Sequence, residues 1–363
     1  MSERIRAVGL DFGTTNSALA IVGADGTPRL ARHASDVAGA PPTETFRSIL
    51  FFEPIEESGE AATSVGNDAI RRYLAAGGNG RLIQSLKSFL ADRSFQTTEI
   101  MEETYSLGDL IAPILVELRT QAERQFGALP PRIVVGRPVH FSGASTAEED
   151  ALAQARLDLA IRRAGWEQIV FEYEPVAAAY DYASRIQREE LVLIADFGGG
   201  TSDFSLLRLQ PPNGARRFEI LGNDGVALAG DAFDGRMMHH MVAPELGRGS
   251  KYRSPYGMVL PAPTWPYTKL EHWHHLSFLK ARATMYRLRE LRGESLEPDK
   301  IAALIHVVEN DLGYYLFRAV ESSKLALSES ESAPFEFNDR AVEIAKTVAR
   351  PEFERWIARQ LEQ

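Results

Sequence analysis

The sequence predicts an α/β protein of two domains, and three observations carry that reading. Residues 7–22 and 191–209 each place an apolar, strand-like run before an Asp-Phe-Gly turn and a second strand-like run after it. Between these two hairpins, strands alternate with helices from residue 130 to residue 171, the pattern of an α/β sheet. A chain of 363 residues, 44 % hydrophobic and 25 % charged, is long enough to bury two cores.

The second hairpin is the richer of the two. Its turn reads Asp196-Phe197-Gly198-Gly199-Gly200-Thr201-Ser202-Asp203. Three glycines without side chains let backbone N–H groups close on an anion such as a phosphate. Asp196 and Asp203 would repel a bare phosphate, and a hydrated Mg²⁺ between acid and phosphate removes that conflict. One such turn is also common in ordinary hairpins. The first hairpin repeats the logic in Asp11-Phe12-Gly13-Thr14-Thr15-Asn16-Ser17, and the repetition points to a nucleotide with Mg²⁺.

These paired turns resemble those of the actin-like ATPases, the superfamily of actin, the sugar kinases and the heat shock protein 70 chaperones. The resemblance implies a ribonuclease H-like, two-domain fold around a nucleotide cleft. Its first domain would span 1–188, with phosphate hairpin 7–22 and an inserted subdomain at about 33–110. The second would span 189–363, with hairpin 191–209 and a helical subdomain at about 229–334. Glu174-Pro175-Val176-Ala177-Ala178-Ala179-Tyr180 is similar to the family's inter-domain connecting helix. Gly230-Asp231, Phe233-Asp234 and Arg236-Met237 resemble the Gly-Gly-x-x-Phe-Asp-x-x-Met stretch of the heat shock protein 70 group. Residues 84–90 and an aromatic insertion at 245–275 are closest in style to its YegD-like branch. Family members continue into a further Gly-rich adenosine loop, so the resemblance also implies a second domain truncated at its C-terminus, with an apolar sheet edge left uncovered.

Element by element, residues 7–32 read as strand, turn, strand, turn, strand, with Asp25-Gly26 in the second turn. Residues 48–52 read as a buried strand, and 66–90 as mostly helical with a break at 75–80. A helix is expected over 107–126 and a strand over 133–138. Ser145 with Glu148 reads as a capping box for a long helix ending at Gly165, on which Leu152, Ala155 and Leu159 recur at helical spacing. A strand follows at 169–171, and Glu174-Pro175 opens the next helix with proline in the first turn. Further on, 217–221 reads as a strand, 312–328 as a helix, 335–337 and 342–344 as strands, and 347–353 leads into a closing helix.

Composition excludes several classes of function. Fifty acidic against 40 basic residues give a net charge of −10, which speaks against a general nucleic-acid binder or attraction to anionic lipid. The absence of cysteine excludes disulfides, thiolate metal sites and cysteine nucleophiles. The N-terminus has no apolar stretch long enough for a signal peptide or membrane span, so the cytoplasm is expected. The aromatic and basic residues of 245–275, among them Tyr252, Tyr256, Trp265, Tyr267 and Trp273, could stack nucleic-acid bases, but packing within their own domain is favoured. His272, His274 and His275 do not share a helix face, and no zinc site is assigned to them.

Several side chains carry two readings. Lys87, among apolar neighbours, reads from spacing alone as a snorkelling surface lysine; the resemblance instead sends it toward the phosphates and the attacking water. Glu174 is either a carboxylate complementing a helix dipole or, by resemblance, a holder of metal-bound water. Glu321, Lys324 and Ser328 share one helix face, as an exposed ion-pair stripe or as ligands of the adenosine ribose and base. Leu325 stands where the family usually stacks an arginine on adenine. The full set implied for ATP or ADP is Gly13, Thr14, Thr15, Gly198, Gly199, Gly200, Gly230, Asp231, Glu321, Lys324 and Ser328. Asp11, Asp196 and Glu174 would hold Mg²⁺ through water, and Lys87, Glu174, Asp196, Thr201 and Asp203 would serve catalysis. The expected function is a slow, Mg²⁺-dependent ATPase module of a chaperone-like protein, with client proteins or co-chaperones as partners. The alternative is a nucleotide-responsive or inactive interaction protein. A small-molecule kinase would need an acidic base beside an acceptor pocket, which the sequence does not nominate.

Overall fold

The computed structural model describes residues 4–35, 41–55, 61–76, 79–211, 218–226, 228–271, 279–310, 312–339 and 341–362. The chain divides into two compact units, 1–229 and 230–363.

In the first unit, β1 (Ala7–Phe12), β2 (Asn16–Val22) and β3 (Pro28–Leu30) form the expected antiparallel meander, and Gly26 takes φ +81° in its second turn. β4 (Phe46–Arg47) pairs with β2, and β5 (Ile49–Pro54) pairs with β6 (Ala61–Val65). Residues 49–52 of β5 are all buried, which is why they read as one continuous apolar run. α1 (Gly66–Ala75) follows. The helix expected to continue toward residue 90 does not form. Instead Arg81–Gln84 is β7, antiparallel to β5 with Leu50 opposite Ile83, and Leu86–Phe89 is one 3₁₀ turn. The open edge of β5 captures this segment, and Ser85 at φ +57° interrupts any helix there.

The hairpin β8 (Thr97–Ile100) and β9 (Glu103–Ser106) leads into α2 (Leu107–Phe126), whose bounds match the expectation and whose N-terminus carries a capping box between Ser106 and Asp109. β10 (Arg132–Arg137) lies parallel to β1. α3 (Ala147–Arg163) starts one residue later than a Ser145 cap would place it. Thr146 is the cap, accepting from the Glu149 N–H, while Ser145 donates to the Glu149 carboxylate. The buried stripe of α3 is Ala153, Leu157, Ala160 and Ile161 rather than the Leu152, Ala155 and Leu159 row; Leu159 is 50 % exposed. β11 (Gln168–Tyr173) adds a second parallel neighbour, giving the sheet order β11-β10-β1-β2-β3.

α4 (Glu174–Ala183) then packs on a second sheet of β12 (Glu190–Phe197), β13 (Ser202–Leu209) and β14 (Phe218–Val226). Val176, Ala179 and Ala183 of the helix meet Leu207, Leu209, Val192 and Ile194 of the sheet. On the opposite face of β12, Leu191, Leu193 and Phe197 are 65 %, 65 % and 70 % exposed.

The second unit has a largely helical core. α5 (Gly230–Met237) passes through a π turn into the short hairpin β15 (Lys251–Arg253) and β16 (Val259–Pro261). α6 (Trp265–Glu271), α7 (Arg282–Glu294), α8 (Pro298–Glu309) and α9 (Gly313–Glu329) follow, and β17 (Ser332–Asp339), β18 (Val342–Ala349) and α10 (Arg350–Leu361) close the unit. The aromatic insertion packs inward: Tyr267 is fully buried, and Tyr252 and Trp265 lean on the same core. Tyr256, at the hairpin tip, is instead 89 % exposed. Trp273 and the three histidines at 272, 274 and 275 lie outside the described residues. Among the described residues no helix is long and apolar enough to cross a membrane.

Candidate functional site

β1, β10 and β11 run parallel, so their C-terminal ends open at one end of the sheet, where α/β folds place ligands. Asp11 sits at the end of β1, and Glu174 is delivered at the end of β11 as the first residue of α4. Glu174 crosses directly over Gly136 of β10. A Cβ at that position would lie 3.1 Å from Glu174 Cγ, tight enough that the Glu174 side chain would have to shift by a few tenths of an ångström. Gly13 is more strictly constrained, since a Cβ there would fall 2.1 Å from the Asn16 carbonyl oxygen.

Lys87 is not a surface lysine. The 3₁₀ turn that carries it is folded in, the residue is only 8 % exposed, and its Nζ donates to Glu174 Oε1 at 2.8 Å. Burial pulls its pKa down, but Glu174, Asp11 and Asp203 outweigh that and hold it above the usual lysine value. The ammonium is therefore fixed as a cation among carboxylates.

The second hairpin brings in the other acids. Across the strand pair Asp196 faces Asp203, and the Gly198 N–H closes the turn on the Thr201 carbonyl at 2.9 Å. Gly200 lies against the first hairpin, where a Cβ would stand 3.4 Å from Thr14 Oγ1. Thr15, beside it, accepts the Ser48 N–H through its carbonyl. Asp203 is 1 % exposed, and its Oδ1 accepts the Val139 N–H at 2.8 Å. Burial nevertheless raises the Asp203 pKa, against the pull of Val139 and of the Thr201 side chain. Burial and then Glu174 also raise that of Asp196.

Asp11 shows the same effect most strongly. Burial lifts its carboxyl from 3.8 to about 6, with Lys87 opposing the rise and Glu174 and Asp196 adding to it. Water still reaches more than a third of its surface, so the energetic consequence is smaller than that shift alone would give. A carboxylate set this short of positive charge, made only of hard oxygen donors, suits a hydrated divalent cation. Among the described residues no three His, Asp or Glu side chains are grouped tightly enough to hold a metal directly.

In the second unit, Gly230 and Asp231 open α5, and Glu321, Lys324 and Ser328 lie on α9. Lys324 Nζ is paired with Asp234 Oδ1 at 2.7 Å, and the Ser328 hydroxyl points back to the Lys324 carbonyl at 3.5 Å. Leu325 is 62 % exposed. Asp234 is 3 % exposed, and burial lifts its carboxyl from 3.8 to about 6 against the pull of Lys324, with Asp231 and Glu321 adding to the rise.

The raised Asp234 pKa has a stability consequence of definite sign. The folded chain binds this proton more tightly than the unfolded chain, so the associated stability is present at low pH and is lost as pH rises through about 6. Asp234→Asn removes that dependence. The melting temperature of the variant minus that of the parent should increase from about pH 5 to about pH 8; a flat or falling difference contradicts the assignment.

Sequence reasoning missed the Val139 N–H, the Ser142 side chain 3.8 Å from where a Gly200 Cβ would be, and the carboxylate of Asp234 as the partner of Lys324. Only Asp234 left a signal, since it sits in the Phe233-Asp234 stretch. The other two depend on contacts between segments distant in sequence.

Comparison with known proteins supports this site's kinship. Residues 85–250 match the Hsp70 protein family. That region holds Lys87, Glu174, Asp196, Thr201 and Asp203 together. The chaperone protein HscA homolog of Rickettsia felis (strain ATCC VR-1525 / URRWXCal2) is 28 % identical over 234 residues, covering 64 % of this chain and 34 % of the relative. The chain thus aligns with about a third of that relative's length. Both findings support the Hsp70 family, and the mixed α/β architecture is consistent with its actin-like ATPase fold.

Proposed function

We propose that the chain is an Hsp70-family ATPase module that binds Mg²⁺-ATP and hydrolyses it slowly to ADP and phosphate. The observation that carries this reading is the buried Lys87–Glu174 pair at 2.8 Å, set among Asp11 at the end of a parallel strand and Asp196 and Asp203 in the β12–β13 hairpin. Backbone N–H groups of Gly13 to Thr15 and Gly198 to Thr201, with the threonine hydroxyls, grip the phosphates. Asp11, Asp196 and Glu174 would hold Mg²⁺ through water, and the ion would neutralise phosphate charge. Lys87 and Asp203 orient the attacking water. Such catalysis is positioning and charge stabilisation rather than covalent chemistry. By the family resemblance, Gly230, Asp231, Glu321, Lys324 and Ser328 would supply nucleoside contacts, and the domain boundary is proposed near residues 188 and 189. Cytoplasmic location, affinity for client proteins or co-chaperones, and a place in the YegD-like branch follow only from kinship.

A second reading, an interaction protein that responds to nucleotide without productive turnover, is favoured by one observation: exposed Leu325 offers no guanidinium to stack on adenine. Calorimetric titration of Mg²⁺-ATP separates the two. The parent should bind, and Asp196→Asn and Thr201→Ala should each weaken binding by about tenfold or more, the worth of a charge-assisted contact. No heat and no thermal stabilisation at millimolar nucleotide would leave the interaction-protein reading.

A further inference from the structure

Lys87 is the only lysine before residue 251. The 3₁₀ turn that carries it has sheet pairing on its entry side, where β7 ends at Gln84, but the next strand, β8, begins only at Thr97. Between them the chain runs through successive tight turns. The Leu90 N–H closes on the Lys87 carbonyl, the Asp92 N–H on that of Phe89 and the Phe95 N–H on that of Asp92. Leu90 and Ala91 are buried, and a buried segment without helix or sheet needs donors from elsewhere for its carbonyl groups. Arg156 of α3, beside the buried stripe of Ala153, Leu157 and Ala160, supplies them. Its Nη1 donates to the carbonyls of Phe89, Leu90 and Asp92 at 3.3, 3.0 and 2.8 Å, and its Nη2 to that of Phe95 at 3.0 Å. A planar fork of N–H groups suits four acceptors spread along a curved backbone; an ammonium has three donors and no fixed plane. The other tie from α3 to this loop is the ion pair of Glu149 with Arg93 at 3.9 Å, in which Arg93 is 62 % exposed, and such a pair holds little.

We propose that Arg156 is a positioning residue for ATP hydrolysis, fixing the exit of the 3₁₀ turn and so holding the Lys87 ammonium on Glu174. The inference rests on the nucleotide reading above and deepens it, because it assigns part of the reaction to a side chain outside the carboxylate cluster. β7 fixes the backbone before Lys87 and Arg156 fixes it after. Without the second anchor the turn is held from one side, and the 2.8 Å contact between Lys87 and Glu174 has to restrain the loop as well as the ammonium. Arg156 acts only through Lys87.

The test measures binding and single-turnover hydrolysis of Mg²⁺-ATP on the full chain, for the parent, Arg156→Met, Arg156→Lys, Lys87→Met and the Arg156→Met, Lys87→Met double variant. All are compared at a temperature where melting curves show them folded. Arg156→Met should slow hydrolysis by about 10- to 10²-fold, the cost of a misplaced reacting group, and change affinity by less than about twofold. In the Lys87→Met background the same substitution should slow hydrolysis by no more than about twofold further, because its effect passes through Lys87. Arg156→Lys keeps the charge and loses the fork; it should be slowed less than Arg156→Met, and it carries the test if methionine prevents folding. Acylation of Lys87 by an amine-reactive reagent, mapped by mass spectrometry, gives a readout without nucleotide. It should be about tenfold faster in Arg156→Met than in the parent, as expected when a charge-assisted tie is lost and the loop opens more often. The proposal is overturned by hydrolysis at the parent's rate in both Arg156 variants, by equal slowing with and without Lys87, which would mean a merely structural role, or by unchanged acylation. In each of those cases binding of Mg²⁺-ATP by the parent leaves the nucleotide reading intact. If the parent binds no Mg²⁺-ATP, the nucleotide reading itself fails, and this inference with it.

Discussion

Lys87→Met is expected to reduce ATP hydrolysis by about 10²- to 10³-fold, the usual cost of removing one preorganised electrostatic group from a reaction centre. Mg²⁺-ATP should still bind, because the backbone turns proposed to grip the phosphates do not depend on this side chain. The substitution also strips the cation from a cluster of four carboxylates, Glu174, Asp11, Asp196 and Asp203. Glu174 keeps only 15 % side-chain exposure, and Lys87 Nζ is its partner at 2.8 Å. Breaking a buried pair from one side costs about 3–5 kcal/mol, and somewhat less here because water reaches Asp11. The ligand-free variant should therefore melt several degrees below the parent, and millimolar Mg²⁺ should recover part of the loss by supplying positive charge to the same acids. Single-turnover hydrolysis together with melting curves, with and without Mg²⁺, checks both arms. Unchanged turnover would remove Lys87 from the reaction, and a melting loss that Mg²⁺ leaves untouched would mean that the cation does not enter this cluster.

What the sequence could reveal followed the range of the interactions involved. The two hairpins were legible because Asp-Phe-Gly and its flanking strands lie within a few residues, and their strands form as expected. α2 was legible for the same reason, since a cap at Ser106 and an uninterrupted helical run define it locally. β7 was not, because its conformation is set by pairing with β5, about 30 residues earlier. The α3 cap slipped by one residue because Ser145 and Thr146 are chemically equivalent donors and acceptors, and both engage Glu149. Its buried stripe was misplaced because small Ala153 and Ala160 face the core while Leu159 does not. Lys87 shows the limit most clearly. Nothing within several residues distinguishes it from a snorkelling lysine, and its partner Glu174 is 87 residues away. Short-range chemistry could name most of the acids, but not which cation lies among them.

Asp203→Ala and Asp203→Asn should separate two roles held by one side chain. The carboxylate is 1 % exposed and joins elements far apart in sequence: Oδ1 accepts the Val139 N–H at 2.8 Å at the exit of β10, and the Thr201 hydroxyl binds it from the turn. Alanine leaves the Val139 N–H without a partner in a closed space, at a cost of about 1–3 kcal/mol, and frees the Thr201 side chain. Asparagine keeps an oxygen where Val139 needs one. It also removes a charge whose pKa burial has already raised, so the ligand-free Asn variant should be at least as stable as the parent at neutral pH. Activity should not follow stability. Both variants lose the charge that would orient the attacking water, and both should hydrolyse ATP about 10²-fold more slowly, within the range for removing a positioned acid or base. Chemical denaturation alongside steady-state hydrolysis therefore has a specific expected pattern, with alanine unstable and slow, and asparagine stable and slow. If asparagine restored turnover as well as stability, the Asp203 charge would have no part in the reaction, and its burial would be explained by the Val139 bond alone.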